Sequence, residues 1–427
     1  MSGSAAVRRF FILLFAMLSL VGCAASNSPA VTSDISENYG DSAVVINDYT
    51  ATFAGLGYFD YNKISEKSGV SIKTATYYPE ELDLKLLAGD SDVDIFFINS
   101  SSLDRYKENG LYSELNSDVI LNFNNSCFDS YAKACEYEGK TIAMPASSSY
   151  WALLIPKSAI EETGVTEKDV EYIDDFLSFV RNYEGERTAY TNGSQLFYSL
   201  EGQYERFYCD IAGKDINYMT EEYFDLYEKM LGGYLRNGQT PGAPEGFEHS
   251  ITGDYSNNSE KALCTFGYYS DAEYFSDNRL NTDPDVYLTQ GSADFFDKWR
   301  AFPIPKISEK ITYCSVGMSV AIINPSSENK EAALKVLETI AENYFDTARG
   351  VKYSFLFADR SAYPEYYHTD SDIFNDYYEI FSNGVVSTLS VDIATSRSEI
   401  DDYQAGKLTL EEAVAEYQRQ VDIWLNE

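Results

Sequence analysis

The first apolar run of the chain is FFILLFAMLSLV, Phe10 to Val21, interrupted only by Ser19. It falls short of the about 20 apolar residues that a membrane-spanning helix needs. Arg8 and Arg9 precede it, and no acidic residue comes before Asp34. A basic start followed by a short apolar run is the profile of an export signal, expected over residues 1–22. Residues 24–42, AASNSPAVTSDISENYGDS, are small and polar. They read as part of a tether over 23–43, reaching roughly 25 Å as a coil. Val44-Val45-Ile46 then opens a strand that ends in Asn47-Asp48-Tyr49. Ser71–Tyr78 alternates as SIKTATYY, and Asp94–Asn99, DIFFIN, has the continuous apolar centre of a strand buried on both faces. With a helix over Glu80–Leu87 between them, strand and helix alternate. That order argues for parallel α/β sheets with helices on both faces.

The middle of the chain, about 150–305, is richer in loops, with Gly, Asn and Asp clustered around 232–259. Helices are predicted at Val170–Asn182 and Glu221–Leu235. Further on, Ala333, Val336, Leu337, Ile340, Ala341, Tyr344 and Phe345 trace one helix face after Asn324-Pro325-Ser326-Ser327. Thr409-Leu410-Glu411-Glu412 has the capping-box pattern. It leads into a final helix whose apolar stripe is Leu410, Ala413, Val414, Tyr417, Val421, Trp424 and Leu425. No repeat of fixed period and no second long apolar span is present.

Charge narrows the partners. The 427 residues carry 68 acids against 32 Lys and Arg, a formal −36, and removing residues 1–22 takes away only bases. A field of that sign repels nucleic acid and anionic lipid headgroups, so neither is an expected partner surface. Some 400 residues exceed one comfortable core, so two lobes are expected. Leaving Cys23 aside, Cys127, Cys135, Cys209, Cys264 and Cys314 make an odd number without CxxC spacing. Only Cys127 and Cys135 lie close enough in sequence to bridge, and buried free thiols are the reading preferred for the set. His249 and His368 are isolated, so no zinc site is expected. Asp90-Ser91-Asp92-Val93-Asp94 resembles the start of a calcium loop but lacks its glycine and distal glutamate, and reads as a turn. No GxSxG, HExxH or Walker loop occurs, and no cofactor is implied.

Leu20-Val21-Gly22-Cys23 resembles the lipobox of bacterial lipoproteins, with Cys23 as the residue that would take a diacylglyceryl group. Two acyl chains, unlike one, anchor stably. Several later segments resemble, in order, the extracellular solute-binding proteins of ABC importers, specifically the sugar-type family. They are Leu82–Asn99 with Tyr106–Leu115, Tyr137–Pro145 with Trp151–Lys157, Ser259–Tyr274, Phe302–Pro305, Ser315–Leu337 (SVGMSVAIINPSSENKEAALKVL) and Gly406–Tyr417. The interval 160–255 carries little of the likeness. What the resemblance implies is an α/β, two-lobed periplasmic-binding-protein-like fold of type II, its lobes joined by three crossovers. Residues 44–147 plus 306–345 would form lobe 1, and 148–305 plus 346–427 lobe 2. The implied protein is not an enzyme. It is a monomer held at the outer face of the cell membrane of a monoderm bacterium. Its partners are a small carbohydrate ligand and ABC permease subunits.

Sugar recognition needs flat aromatic faces for the C–H face of a pyranose and planar polar groups for its hydroxyls. By the family's strand-to-cleft loops, the candidates are Asp48 and Tyr49, Asn99 and Ser100, Ser149, Tyr150 and Trp151, Tyr268, Tyr269 and Asp271, and Tyr313 and Ser315. Most of the 36 tyrosines must pack elsewhere. Trp151 could serve the cleft edge or the core, Trp299 and Trp424 are read as core, and Asp48 could bond a hydroxyl or cap a helix. A cationic or peptide solute, a surface glycoside hydrolase acting through paired carboxylates, and an adhesin remain alternatives.

Overall fold

The computed structural model describes residues 43–49, 57–191, 193–231, 262–269, 298–388, 390–391 and 398–426. The export signal, Cys23, the tether up to residue 42 and Asp271 lie outside the described residues. The elements run in chain order from β1 (Val44–Asn47), α1 (Tyr61–Ser68), β2 (Ile72–Ala75), α2 (Pro79–Leu87) and β3 (Ile95–Asn99). Next come α3 (Leu103–Glu108), α4 (Asp118–Ser126), α5 (Asp129–Ala134), a hairpin of β4 (Glu136–Tyr137) and β5 (Lys140–Thr141), and β6 (Met144–Ser149). There follow β7 (Ala152–Pro156), α6 (Lys157–Thr163), α7 (Ile173–Arg181), β8 (Thr188–Thr191), α8 (Gly193–Tyr208), α9 (Glu221–Leu231), β9 (Ala262–Gly267) and β10 (Trp299–Phe302). The chain closes with β11 (Ser315–Ile323), α10 (Lys330–Glu342), α11 (Tyr344–Thr347), α12 (Asp372–Ser382), β12 (Val385–Val386), α13 (Ser398–Gln404) and α14 (Leu410–Asn426).

Two sheets organise these elements. The first has the order β12-β11-β3-β1-β2 with β6 also paired to β11, and the second is β10-β7-β9-β8. Parallel pairing holds for β1 with β2 and β3, but the sheets are mixed. β11 runs antiparallel to β3 and β6, and β7 antiparallel to β9 and β10. The alternation of strand and helix fixes direction only where a helix returns the chain to the same sheet. β11 and β7 enter their sheets directly from the other one, so nothing obliges them to run parallel.

Local boundaries moved for identifiable reasons. The strand expected over Ser71–Tyr78 stops at Ala75, because the Asn47 amide takes both backbone groups of Tyr77. Its Oδ1 accepts from Tyr77 N at 2.8 Å and its Nδ2 donates to Tyr77 O at 3.3 Å. The helix expected from Val170 starts at Ile173, since Tyr172 forms a bridge with Lys306. The long helix after Asn329 breaks at Asn343, which leaves Tyr344 and Phe345 on α11. At the C-terminus the capping box forms as expected. Glu412 N donates to Thr409 Oγ1 at 3.2 Å and Thr409 N to Glu412 Oε2 at 2.8 Å.

The segments that carried the resemblance hold the first sheet together. Asp94 is buried, and its carboxylate accepts from Val45 N at 2.7 Å, Ser327 Oγ at 2.5 Å and the Asn329 amide at 3.3 Å. Asn324 donates to the carbonyls of Asp90 and Val93 and accepts from Ser326 N. The turn before β3 is thereby stapled to the turn before α10. Asp90 and Asp92 meet Lys85 at 2.8 and 3.2 Å, as a solvated turn does. In the second sheet Trp299 is fully buried. Arg300 grips Asp376 with two bonds of 2.7 and 2.8 Å, fastening α12 to β10. Cys127 and Cys135 are buried free thiols, Cys209 and Cys314 are free and half-buried, and Cys264 is buried.

Candidate ligand cleft

The passages between the two sheets converge. β6 hands over to β7 through Tyr150-Trp151, and β10 to β11 through residues 303–314. β12 rejoins the first sheet alongside Ser315 and Val316. Tyr150 locks two of these passages together, its buried hydroxyl accepting from Ile304 N at 2.9 Å. Antiparallel register pairs Ala152 with Gly267. The residues just beyond that pair, Trp151 and Tyr268, therefore meet, with ring centroids 4.2 Å apart. Both are half-buried.

A cavity of about 250 Å³ opens at this convergence. Of the candidates read from sequence, Ser149, Tyr150, Trp151, Tyr313 and Ser315 all line it. A second cavity of about 200 Å³ shares Ser149 and Tyr150 and adds Tyr58, Tyr268 and Tyr269. Tyr58 bonds Ser319 Oγ through its hydroxyl at 3.0 Å and lies 4.7 Å from the Phe97 ring. Burial, above all, pushes its pKa up, so it faces the cavity as a neutral phenol. Tyr269 is mostly core: 3% exposed, it donates to the Tyr367 carbonyl and packs among Phe355, Tyr367 and Tyr377.

Four other candidates sit at strand ends in the first sheet and line neither of these cavities. Asp48 is fully buried and neither faces solvent nor caps α1, whose cap is Asp60. Its carboxylate accepts from Tyr58 N at 2.6 Å and from the Tyr61 hydroxyl. Gly57 at φ +60° passes so close that a Cβ there would lie 2.8 Å from Asp48 Oδ2. Ser100 is buried and accepts from Met318 N at 3.2 Å. Tyr49 stands edge-on to Tyr78 at 5.7 Å. Asn99 is exposed and accepts from Ser319 Oγ at 3.3 Å.

One wall of the larger cavity came from the interval where sequence carried little. On α8, Tyr198, Gly202 and Arg206 are spaced four apart and so share a face, and all three line the cavity. Tyr198 is 52% exposed, a phenol ring left open to the cleft. Among the described residues, apart from its own helix, nothing lies within 4 Å of where a Gly202 Cβ would stand, which leaves a groove between Tyr198 and Arg206. On the opposite face Leu196, Leu200 and Tyr204 are core. Arg206 donates Nε–H to Tyr313 Oη at 3.0 Å, one Nη to Ser315 Oγ at 3.1 Å and the other to Val386 O at 3.5 Å. Its guanidinium also sits 5.3 Å from the Tyr313 ring centroid. A helix glycine flanked at i±4 by an aromatic and an arginine was the available signal. Glu205 also lines the cavity but is 6% exposed and accepts from the Tyr218 hydroxyl at 2.8 Å. Lys306 pairs with Glu171 at 3.1 Å.

A cleft where two α/β sheets exchange strands, walled by aromatics, hydroxyls and one guanidinium, is the architecture of a solute receptor. The family model of bacterial extracellular solute-binding proteins matches residues 60–343, and the chain belongs to that family. Among solved structures, an ABC substrate-binding protein from Listeria monocytogenes in complex with cycloalternan is similar, with a TM-score of 0.61 and 14% identity. The match covers 90% of this chain and 98% of that one. A cyclo/maltodextrin-binding protein complexed with maltotetraose gives a TM-score of 0.55 at 14% identity, covering 91% and 98%. At such identity the likeness establishes the two-lobed α/β fold. No curated protein matches the sequence. Among the described residues no helix is long and apolar enough to cross a membrane.

Proposed function

We infer that this protein captures a sugar or oligosaccharide between its lobes and delivers it to the permease of an ABC transporter, held outside the cell by lipid on Cys23. The observation that carries the ligand class is the lining of the cleft. Trp151 and Tyr198 offer ring faces beside the hydroxyls of Ser149, Ser315 and Tyr313, and Tyr268, against Trp151, lines the adjoining cavity. Rings cover the C–H face of a pyranose while hydroxyls and the guanidinium bond its oxygens. The two similar structures named above hold cycloalternan and maltotetraose, which supports the same reading.

The mechanism is binding coupled to closure. A ligand that touches both lobes only when they are shut stabilises the shut state by its differential affinity. The rival ligands and the enzyme fare worse on the same lining. The guanidinium of Arg206, which meets no carboxylate, repels a polyamine. A glycosidase needs two carboxylates facing one bond. Among the described lining residues the sole carboxylate is Glu205, which is engaged with Tyr218.

Calorimetry of the purified chain against oligosaccharides, polyamines and peptides tests the reading. Saturable 1:1 binding of an oligosaccharide is expected. Binding confined to a cation or a peptide, or release of reducing ends from the added glycan, overturns it.

A further inference from the structure

Arg206 differs from five of the other arginines by its neutral partners, and from Arg360, which bonds the Asn375 amide oxygen on the exposed surface, by its place in the cleft. Arg105, Arg187, Arg300, Arg349 and Arg419 each lie within 3.6 Å of a carboxylate, as expected in a chain with 68 acids. Arg206 is half-buried in the cleft, and its three bonds all go to neutral oxygens, those of Tyr313, Ser315 and Val386. A guanidinium has five N–H donors in a planar fork, so two donors are left over.

A charge withdrawn from water with only neutral partners is destabilised relative to one that meets a counter-ion. Glu205, the carboxylate among the described lining residues, accepts from the Tyr218 hydroxyl. A neutral sugar hydroxyl would occupy the spare donors but leave the charge uncompensated. A carboxylate does both, and the fork fits it with two parallel bonds.

Among the described residues no side chain fills the groove over Gly202 beside that fork, and the exposed ring of Tyr198 lies on its other side. A sugar ring stacked on Tyr198 would point a ring substituent at Arg206. One fork with two spare donors matches a single negative charge.

We propose that the ligand is an acidic oligosaccharide whose hexuronate carboxylate pairs with Arg206. The proposal rests on the carbohydrate reading and specifies its chemical class. It also accounts for a cleft whose free charge is opposite in sign to the −36 of the whole chain.

The test titrates the intact chain by calorimetry with matched tetrasaccharides, neutral (gluco- and galacto-) and acidic (glucurono-, galacturono- and mannurono-). At least one uronate should bind 30-fold or more tighter than its neutral counterpart. Raising the salt from 0.05 to 0.5 M should weaken the uronate several-fold and leave the neutral sugar unmoved. In Arg206→Gln the preference should collapse to within about threefold, while Arg206→Lys retains part of it, because a point charge keeps attraction and loses the fork. A neutral tetrasaccharide binding as tightly as every uronate overturns the acidic-ligand proposal and leaves the carbohydrate reading intact. Silence from all of the sugars overturns both. Because the decisive ratio is measured on the unaltered protein, misfolding of a variant does not affect it.

Discussion

The staple around Asp94 and the cleft face of α8 are both built from polar side chains, and they differ in what those side chains already hold. Asp94 spends its carboxylate on Val45, Ser327 and Asn329, and Asn324 is likewise used on both sides. On α8, Tyr198 is open, Gly202 faces empty space and Arg206 has donors to spare. A satisfied polar network specifies a fold. An unsatisfied one waits for a ligand. Damage to the first should therefore cost stability and spare affinity, and damage to the second should do the reverse.

Alkaline pH attacks the fold side hardest. Burial, first among the causes, pushes Tyr131, Tyr150 and Tyr367 well above the ordinary tyrosine range. The unfolded chain then loses its protons near pH 10 while the native chain keeps them. Stability is full below pH 10 and falls above it, by about 1.4 kcal/mol per pH unit for each such tyrosine. Urea denaturation at pH 8, 10 and 11 would show the fall, and a flat profile would mean these phenols are reached by water.

Asp94→Ala comes next. It strands a buried backbone N–H, a hydroxyl and an amide, and should cost about 3–5 kcal/mol in chemical denaturation. The molecules still folded should bind ligand with unchanged affinity.

Gly202→Leu makes the opposite cut. Filling the groove should lower affinity by about 100-fold, or about 2.7 kcal/mol. The melting temperature should not drop, since leucine is a better helix former than glycine. Smallest is Tyr198→Ala: loss of one stacking face should weaken binding about fivefold, roughly 1 kcal/mol. Its ring is 52% exposed, so stability should hardly change.

The same contrast explains what the sequence disclosed. The Thr409 box was readable because its side chains serve neighbouring backbone, and such bonds impose a short-range pattern. DIFFIN was readable from its continuous apolar centre and the Asn324–Asn329 turn through the resemblance, since the bonds of Asp94 and Asn324 join distant segments. Trp151, Tyr313 and Ser315 were placed through the resemblance, at points where the chain passes between the sheets. Asp48 was misjudged as a cap of the following helix, because its partners Tyr58 and Tyr61 are set by a loop geometry around Gly57 that no periodicity encodes. The α8 stripe escaped notice for a related reason. Its spacing is ordinary helix spacing, and only the position of α8 beside β11 and β12 turns an arginine and a tyrosine into a wall. Sheet direction was misjudged for β7 and β11 because a strand arriving from another sheet carries no local mark of its orientation.

A crystal structure of the chain with a bound oligosaccharide tests the central claim most directly. Sugar rings should lie against Trp151, Tyr268 or Tyr198, with an oxygen of the ligand on Arg206 and hydroxyls near Ser149 and Ser315. A ligand seated instead at the ends of β1 and β3, against Tyr49 and Asn99, with the cavity at the crossovers vacant, would contradict the account.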